Sequence, residues 1–387
     1  MAFSSRDRDD DADVKDAHAP SEGLEAGSTG KPGRPGYMPA EATRAGSFPA
    51  LAARNFQREF ESLITDIFRS LSIPTGSTKQ SQRLAEDAGE VPSTPEMSEM
   101  PECFGFTLSN EAILRYDLSH PPPGPVPVPA PIQLLYTILL FFVDRLYEGK
   151  AIERFWFLET VARMPYFAYT TCLHLYETMG WYRAAELRRV HFAEEWNELH
   201  HLLIMESMGG DKRWRDRFLG QHAAVFYYWV LVVVFFVAPS WSYKFSEMLE
   251  THAVSTYGEF ISENAEKLAK LPAPPIARAY YQEGDLYMFD ADSDLVRNAV
   301  GGDPRRAPCE TLLDVFRNIL ADELEHVKTM ALCQDYDSLE KLVSAGGSGR
   351  QSKSTSELLD PESRRKWTAW ANDVNRDYGD PFLNVKP

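Results

Sequence analysis

The sequence predicts an all-α protein with a four-helix bundle at its core. Three observations predict it. Residues 131 to about 336 are dense in apolar and aromatic side chains with helical rather than alternating periodicity. Two segments of that region, Glu198-Leu-His-His201 and Glu323-Leu-Glu-His326, each place a Glu and a His three positions apart, on one helix face. A further apolar helix carrying an isolated carboxylate, Glu159 and then Glu250, precedes each pair.

Taken in order, residues 1–130 read as largely disordered. Asp7, Asp9, Asp10, Asp11 and Asp13 open the chain, Gly, Pro and Ser follow, and a proline run closes the region from Pro121 to Pro131. Such composition buries too little apolar surface to offset the entropy of ordering. One amphipathic helix is expected inside it, Phe56 to Leu71. The bundle domain spans 131–336, with helices expected over 132–147, 151–179, 182–208, 214–237, 241–269 and 309–334. The LPAPP segment from Leu271 to Pro275 breaks the chain between two of them. Residues 291–308, with Gly301, Gly302 and Pro304, read as a loop, and 337–387 as a flexible tail with one short helix.

The formal net charge of −17 argues against a nucleic-acid partner, which a basic face would serve. Four scattered cysteines without a CxxC or CxxH pair offer neither a zinc ribbon nor a disulfide scaffold. Two apolar runs, Ile132–Val143 and Ala223–Ala238, fall short of the roughly 18 to 20 uninterrupted apolar residues of a spanning helix. They suit a buried core helix or a helix lying in one leaflet.

The two Glu-x-x-His pairs and two lone carboxylates match the donor set of bundle proteins that hold paired metal ions. One such pair on a helix is common by chance; two, each preceded by a carboxylate helix, are not. Carboxylate and imidazole donors suit iron or manganese. Four carboxylates cancel the charge of two divalent ions, and without metal they would be costly to ionise in an apolar bundle. The expected architecture is therefore a ferritin-like, metal-paired four-helix bundle with additional helices at a membrane surface. His200 points elsewhere on the helix than His201. His174, His191, His222 and His252 have no partner at ligand spacing. Glu194, Glu195, Glu206, Glu247 and Glu325 read as solvated or as hydrogen-bonded behind the ligands.

Four stretches carry a resemblance: LETVARMPYF (158–167), NELHHL (197–202), ETHAVSTY (250–257) and ADELEH (321–326). Together they resemble the four iron-binding helices of the alternative oxidases. HHLLIME (200–206), KLPAPPIARAYY (270–281), GDLYMFD (284–290) and a loop inserted before the last helix resemble the plastid branch, the plastoquinol-oxidising terminal oxidases. The resemblance implies Glu159, Glu198, His201, Glu250, Glu323 and His326 as ligands of two irons, with Tyr257 beside them. It places Arg154, Leu158, Ala253 and Thr256 around a quinol head group, and Asp322 and Asn197 behind the ligands. It implies oxidation of plastoquinol, or another quinol, by dioxygen with water as product; no proton-pumping machinery is evident. It also implies a homodimer bound in the interface of the chloroplast thylakoid membrane, on the stromal face. The acid-rich residues 7–16 depart from the Ser- and Arg-rich, acid-poor pattern of a plastid transit peptide. Phe155, Trp156 and Phe157, then Trp181, Tyr182, Arg183, Arg188 and Arg189, read as an aromatic and basic border at the head groups. Rival readings are a mitochondrial-type ubiquinol oxidase, a soluble di-iron monooxygenase and a ferritin-like iron store; the two apolar runs argue against the store.

Overall fold

A computed structural model describes residues 47–71, 104–282, 308–335, 339–340 and 359–378. The regular structure among them is helical: α1 Phe48–Leu71, α2 Asn110–Ser119, α3 Ala130–Leu146, α4 Ala151–Ala162, α5 Met164–Thr178, α6 Ala185–Ser207, α7 Trp214–Val237, α8 Pro239–Leu268, α9 Pro275–Gln282, α10 Leu312–Cys333 and α11 Pro361–Asp377. The expected bundle helices are all present, with one difference. The helix anticipated over 151–179 is two helices, because Pro165 has no N–H to give the Val161 carbonyl and its ring would crowd that group. The Arg163 N–H meets Val161 instead, and α5 restarts with Pro165 in its first turn. The LPAPP breaker is held by a short bridge, in which Ala273 N–H donates to Glu310 O (2.9 Å) and Leu312 N–H to Leu271 O (2.9 Å). Just beyond it, Thr311 and Asp314 cap α10 reciprocally. The loop expected over 291–308 lies outside the described residues except for its last member.

Helices α4, α6, α8 and α10 enclose the core, and α10 lies along α8. Phe155 stacks on Tyr257 at 4.3 Å and meets Phe260 edge-on at 5.1 Å; Phe260 and Phe316 lie 4.7 Å apart. Phe155, Trp156 and Phe157 are therefore core residues, not the membrane border anticipated for them. A helix this rich in apolar residues is buried nearly all round, and composition alone does not say which side faces lipid. Trp181 does lie exposed, while Arg183 and Arg188 both pair with Glu177.

The described residues flanking the bundle form helices and packing contacts that their composition does not announce. The helix anticipated from Phe56 begins at Phe48. Residues 104–129 pack on the bundle: Phe104 and Ile113 are buried, and the Asn264 side chain both donates to Thr107 O (2.7 Å) and accepts from Thr107 N–H (3.0 Å). The proline run continues as a strap whose Gly124 N–H donates to Glu247, a carboxylate also held by Lys244 (2.8 Å) and Gln334 (2.7 Å). At the other end α11 buries Trp367, Ala371 and Val374, with Lys328 Nζ 5.1 Å over the Trp367 ring. Proline forbids helix and sheet pairing but not ordered packing against a preformed surface, which sequence composition does not register.

Large apolar side chains stay exposed on several helices, including Phe48, Phe56, Phe60 and Phe68 on α1. On α3 they are Leu134, Ile138, Phe141 and Phe142; on α7 they include Val225, Phe226, Trp229, Val233 and Val237. Among the described residues, α7 alone is long and apolar enough to cross a membrane by length and composition.

Candidate metal centre

Each of the four enclosing helices turns one carboxylate inward. Glu159 comes from α4, Glu198 with His201 from α6, Glu250 from α8, and Glu323 with His326 from α10. All six side chains are buried. Their donor atoms form two overlapping groups, each within 4.8 Å across: Glu159, Glu198, His201 and Glu323; then Glu198, Glu250, Glu323 and His326. Glu198 and Glu323 belong to both.

The histidines face these groups through the same ring atom. His201 Nδ1 lies 3.2 Å from Glu323 and 3.7 Å from both Glu159 and Glu198. His326 Nδ1 lies 2.7 Å from Glu198, 3.6 Å from Glu323 and 3.8 Å from Glu250. The other nitrogen of His201 is occupied from behind. Asp322 Oδ2, 3.2 Å from His201 Nε2, also accepts from Asn197 Nδ2 (2.8 Å) and Tyr281 Oη (2.8 Å). A carboxylate at Nε2 places the ring proton there and leaves the Nδ1 lone pair directed into the cluster.

Two tyrosines cross the site reciprocally. Tyr257, seven residues after Glu250, donates its hydroxyl to Glu159. Tyr166, seven residues after Glu159, donates to Glu250 at 2.9 Å. The resemblance singles out Tyr257 but not Tyr166, although each lies seven residues after a lone carboxylate. Tyr281 and Tyr280, the latter 2.8 Å from Asn197 Nδ2, were missed because nothing local links α9 to α6 and α10.

The donor set fits metal ions on physical grounds. Glu159 Oε2, both oxygens of Glu198 and of Glu323, and His201 Nδ1 are buried without a hydrogen-bond partner among the described residues. Buried polar atoms left so are costly, and their convergence marks a place built for cations. Burial, then the neighbouring Glu198, pushes the Glu159 carboxyl well above its ordinary range, and burial carries Glu250 up to about 8. For Glu198 burial acts upward too, but His326 and His201 overcome it and hold the group below the carboxylate range. Burial would lower both imidazoles, yet the surrounding carboxylates raise them well above their ordinary value. Without metal, protons on the histidines supply the positive charge; a metal pair would displace them from Nδ1 and bring that charge itself.

The remaining candidates are placed as follows. Arg154 is fully buried and ion-paired with Asp144 at 2.9 Å, so it is not a cation reaching for lipid head groups. Leu158 and Ala253 are half-buried, and Thr256 is buried with its hydroxyl donating to His252 O at 2.7 Å. His200 lies outside the cluster, bonded to Trp196 O at 2.7 Å and stacked on Tyr280. Of the two readings for the remaining carboxylates, solvated or hydrogen-bonded, burial removes the first: Glu194 partners His191, Glu195 Arg163, Glu206 Trp156, Glu247 Lys244, and Glu325 Lys328. Their partners lie three residues away or on neighbouring helices, and acidic residues alternating with apolar ones look solvated only when those partners are not considered.

The chain is similar in sequence to known proteins. The model of the alternative oxidase family matches residues 135–335, about half of the chain. A chloroplastic/chromoplastic ubiquinol oxidase 4 of Arabidopsis thaliana is 50% identical over 197 residues, which cover 51% of this chain and 55% of that protein. The mitochondrial ubiquinol oxidase 1b of Oryza sativa subsp. japonica is 29% identical over 57% of this chain and 58% of its own. The mitochondrial ubiquinol oxidase 1 of Glycine max is 24% identical, over 58% and 63%. The chain thus spans somewhat over half the length of the curated relatives it matches. No solved structure matches it.

Proposed function

The chain belongs to the alternative oxidase family, and from that premise we propose that it oxidises plastoquinol and reduces dioxygen to water at two irons held by Glu159, Glu198, His201, Glu250, Glu323 and His326. The observation that carries this reading is the pair of overlapping buried Glu/His groups sharing Glu198 and Glu323. When bound, the two irons supply the redox chemistry, since dioxygen needs four electrons and each quinol gives two. The chain's own residues do the rest. Asp322 fixes the His201 ring so that Nδ1 faces the metals. Tyr257 keeps a proton at Oη beside Glu159, because burial and then that carboxylate raise its phenol well above the ordinary range. Tyr166 does the same at Glu250, for the same reasons. The aromatic wall of Phe155, Phe260 and Phe316 excludes water from the cluster.

The quinol head group meets Arg154, Leu158, Ala253 and Thr256 in this reading. Its lipid tail requires a membrane entrance; attachment within one leaflet is part of this reading, and the exposed apolar faces of α3 and α7 support contact with lipid. The protein is assigned to the stromal face of the plastid thylakoid, as a homodimer; its identity with the chloroplastic relative supports the compartment. A second substrate, ubiquinol, is favoured by the similarity to ubiquinol oxidases, and relative rates with decyl-plastoquinol and decyl-ubiquinol decide between the two.

The test is iron content with quinol-dependent oxygen uptake. About two irons per chain are expected, as the bundle template requires, and Glu323→Ala should lose iron and uptake together because Glu323 belongs to both groups. Full iron occupancy in that variant removes Glu323 from the ligand set. An iron-replete protein with no uptake overturns the oxidase reading.

A further inference from the structure

Arg154 lies one turn before Leu158 on α4, and its guanidinium is gripped from three elements. Nη1 donates to Asn110 Oδ1 on α2 (2.6 Å) and lies 2.9 Å from Asp144 Oδ1 on α3. Nη2 meets His252 Nε2 on α8 at 3.1 Å. His252 Nδ1 in turn lies 2.7 Å from Asp117 Oδ2, again on α2. Arginine has only donors, so His252 Nε2 must accept and the ring proton must sit on Nδ1, donated to Asp117. Asp117 therefore fixes the tautomer, and the tautomer fixes Arg154. The guanidinium is a rigid fork with donors in one plane. With both terminal nitrogens held, the Nε–H direction is set too. That Nε–H is buried and has no hydrogen-bond partner among the described residues. A buried charged donor left open is costly unless something accepts from it.

We propose that α2, through Asn110 and the Asp117–His252 pair, is a clamp that aims Arg154 Nε–H at the ring oxygen of a quinol or quinone. Asn110, Asp117 and His252 are positioning residues; they act through Arg154. The inference rests on the quinol reading given above and extends it to an element outside the family-matched residues 135–335. The surroundings fit an oxygen acceptor on an aromatic ring. Tyr136 meets the His252 ring edge-on at 6.4 Å from α3, the helix whose outer face is apolar and exposed, and Thr256 shares the His252 face of α8.

The test uses two His252 variants with Asp117→Ala. Glutamine carries an acceptor and a donor on one planar group, so His252→Gln can still accept from Arg154 and donate to Asp117. Leucine can do neither. Binding of oxidised decyl-plastoquinone is followed by tryptophan fluorescence in detergent, and decyl-plastoquinol-dependent oxygen uptake is normalised to iron, with a thermal melt beside each. His252→Leu and Asp117→Ala should weaken quinone binding about tenfold, the size of one lost charge-assisted hydrogen bond, and lower kcat/KM in parallel at unchanged iron content. His252→Gln should stay within about twofold of the parent. Unchanged binding in His252→Leu overturns the clamp. Equal damage in His252→Gln and His252→Leu also overturns it, because the imidazole would then act as more than a spacer with fixed polarity. Should His252→Leu fail to fold, Asp117→Ala decides by the same two readouts. Intact quinone binding with this variant pattern, but no oxygen uptake by the parent, would sink the oxidase reading and leave the clamp standing.

Discussion

Tyr257 and Tyr166 bring hydroxyls from α8 and α5 to opposite carboxylates of the cluster, and only chemistry separates a structural from a functional role for either. Tyr257→Phe removes one oxygen and keeps the stack on Phe155. It should hold both irons and lose most oxygen uptake per iron pair, with a melt lowered by no more than the 1 to 3 kcal/mol or so of a lost buried hydrogen bond. Near-parent turnover in that variant would make Tyr257 a packing residue. Glu206 offers a test away from the cluster. Burial first, and then Asp211, raises its carboxyl to about 7, above the ordinary 4.5. A raised carboxyl favours the protonated fold, so its ionisation costs stability progressively as pH rises from about 4.5 through 7. Glu206→Gln should match the parent in melting at pH 4.5 and exceed it at pH 8, by up to about 3 kcal/mol; a constant difference at the two pH values would refute the shift. At this scale the sequence was most informative where spacing is local. The two Glu-x-x-His pairs were legible because i, i+3 puts each pair on one face, and Glu159 and Glu250 because each is an isolated carboxylate on an apolar helix. Arg154's partners were not, since Asn110, Asp144 and His252 share no spacing with it and meet it only through packing.

The helices themselves were legible from periodicity, but their ends less so: Pro165, read through as the interior of one helix over 151–179, divides α4 from α5, and Pro239 opens α8 two residues before its anticipated start. Which face a helix buries was less so, as Trp156 illustrates. Its ring is buried against Gly210 and Gly220: a Cβ built on Gly210 would lie 2.6 Å from Trp156 Cβ and 3.0 Å from the Ile152 carbonyl, and one on Gly220 2.8 Å from the ring edge. Backbone cannot yield as a flexible side chain can. Gly210→Ala, outside any helix and so without a propensity gain, should cost about 1 to 3 kcal/mol, seen as a lowered melting temperature at unchanged iron content. An unchanged melt would mean that α4 and the turn after α6 separate freely.

Across the whole molecule, the exposed apolar faces of α3 and α7 ask for a solvent other than water. Placing Glu at Phe226 and Trp229, both more than half exposed, should leave iron content and melt intact. Co-sedimentation with anionic lipid vesicles should fall at least tenfold, since burying one such side chain contributes roughly 1.5 to 3 kcal/mol. Undiminished co-sedimentation would move the lipid contact elsewhere. The strap of residues 104–129 has a consequence in time. It is delivered early whenever the chain emerges N-terminus first, yet Thr107 bonds a residue 157 positions on, Gly124 one 123 on, and Val126 one 208 on. Contacts so distant in sequence form late, after the loops between them have closed. The strap must therefore wait, unpaired and proline-rich, through the making of almost every helix it will hold. Proline suits that wait over residues 121–129, because a stretch that can join neither helix nor sheet is slow to find the wrong partner.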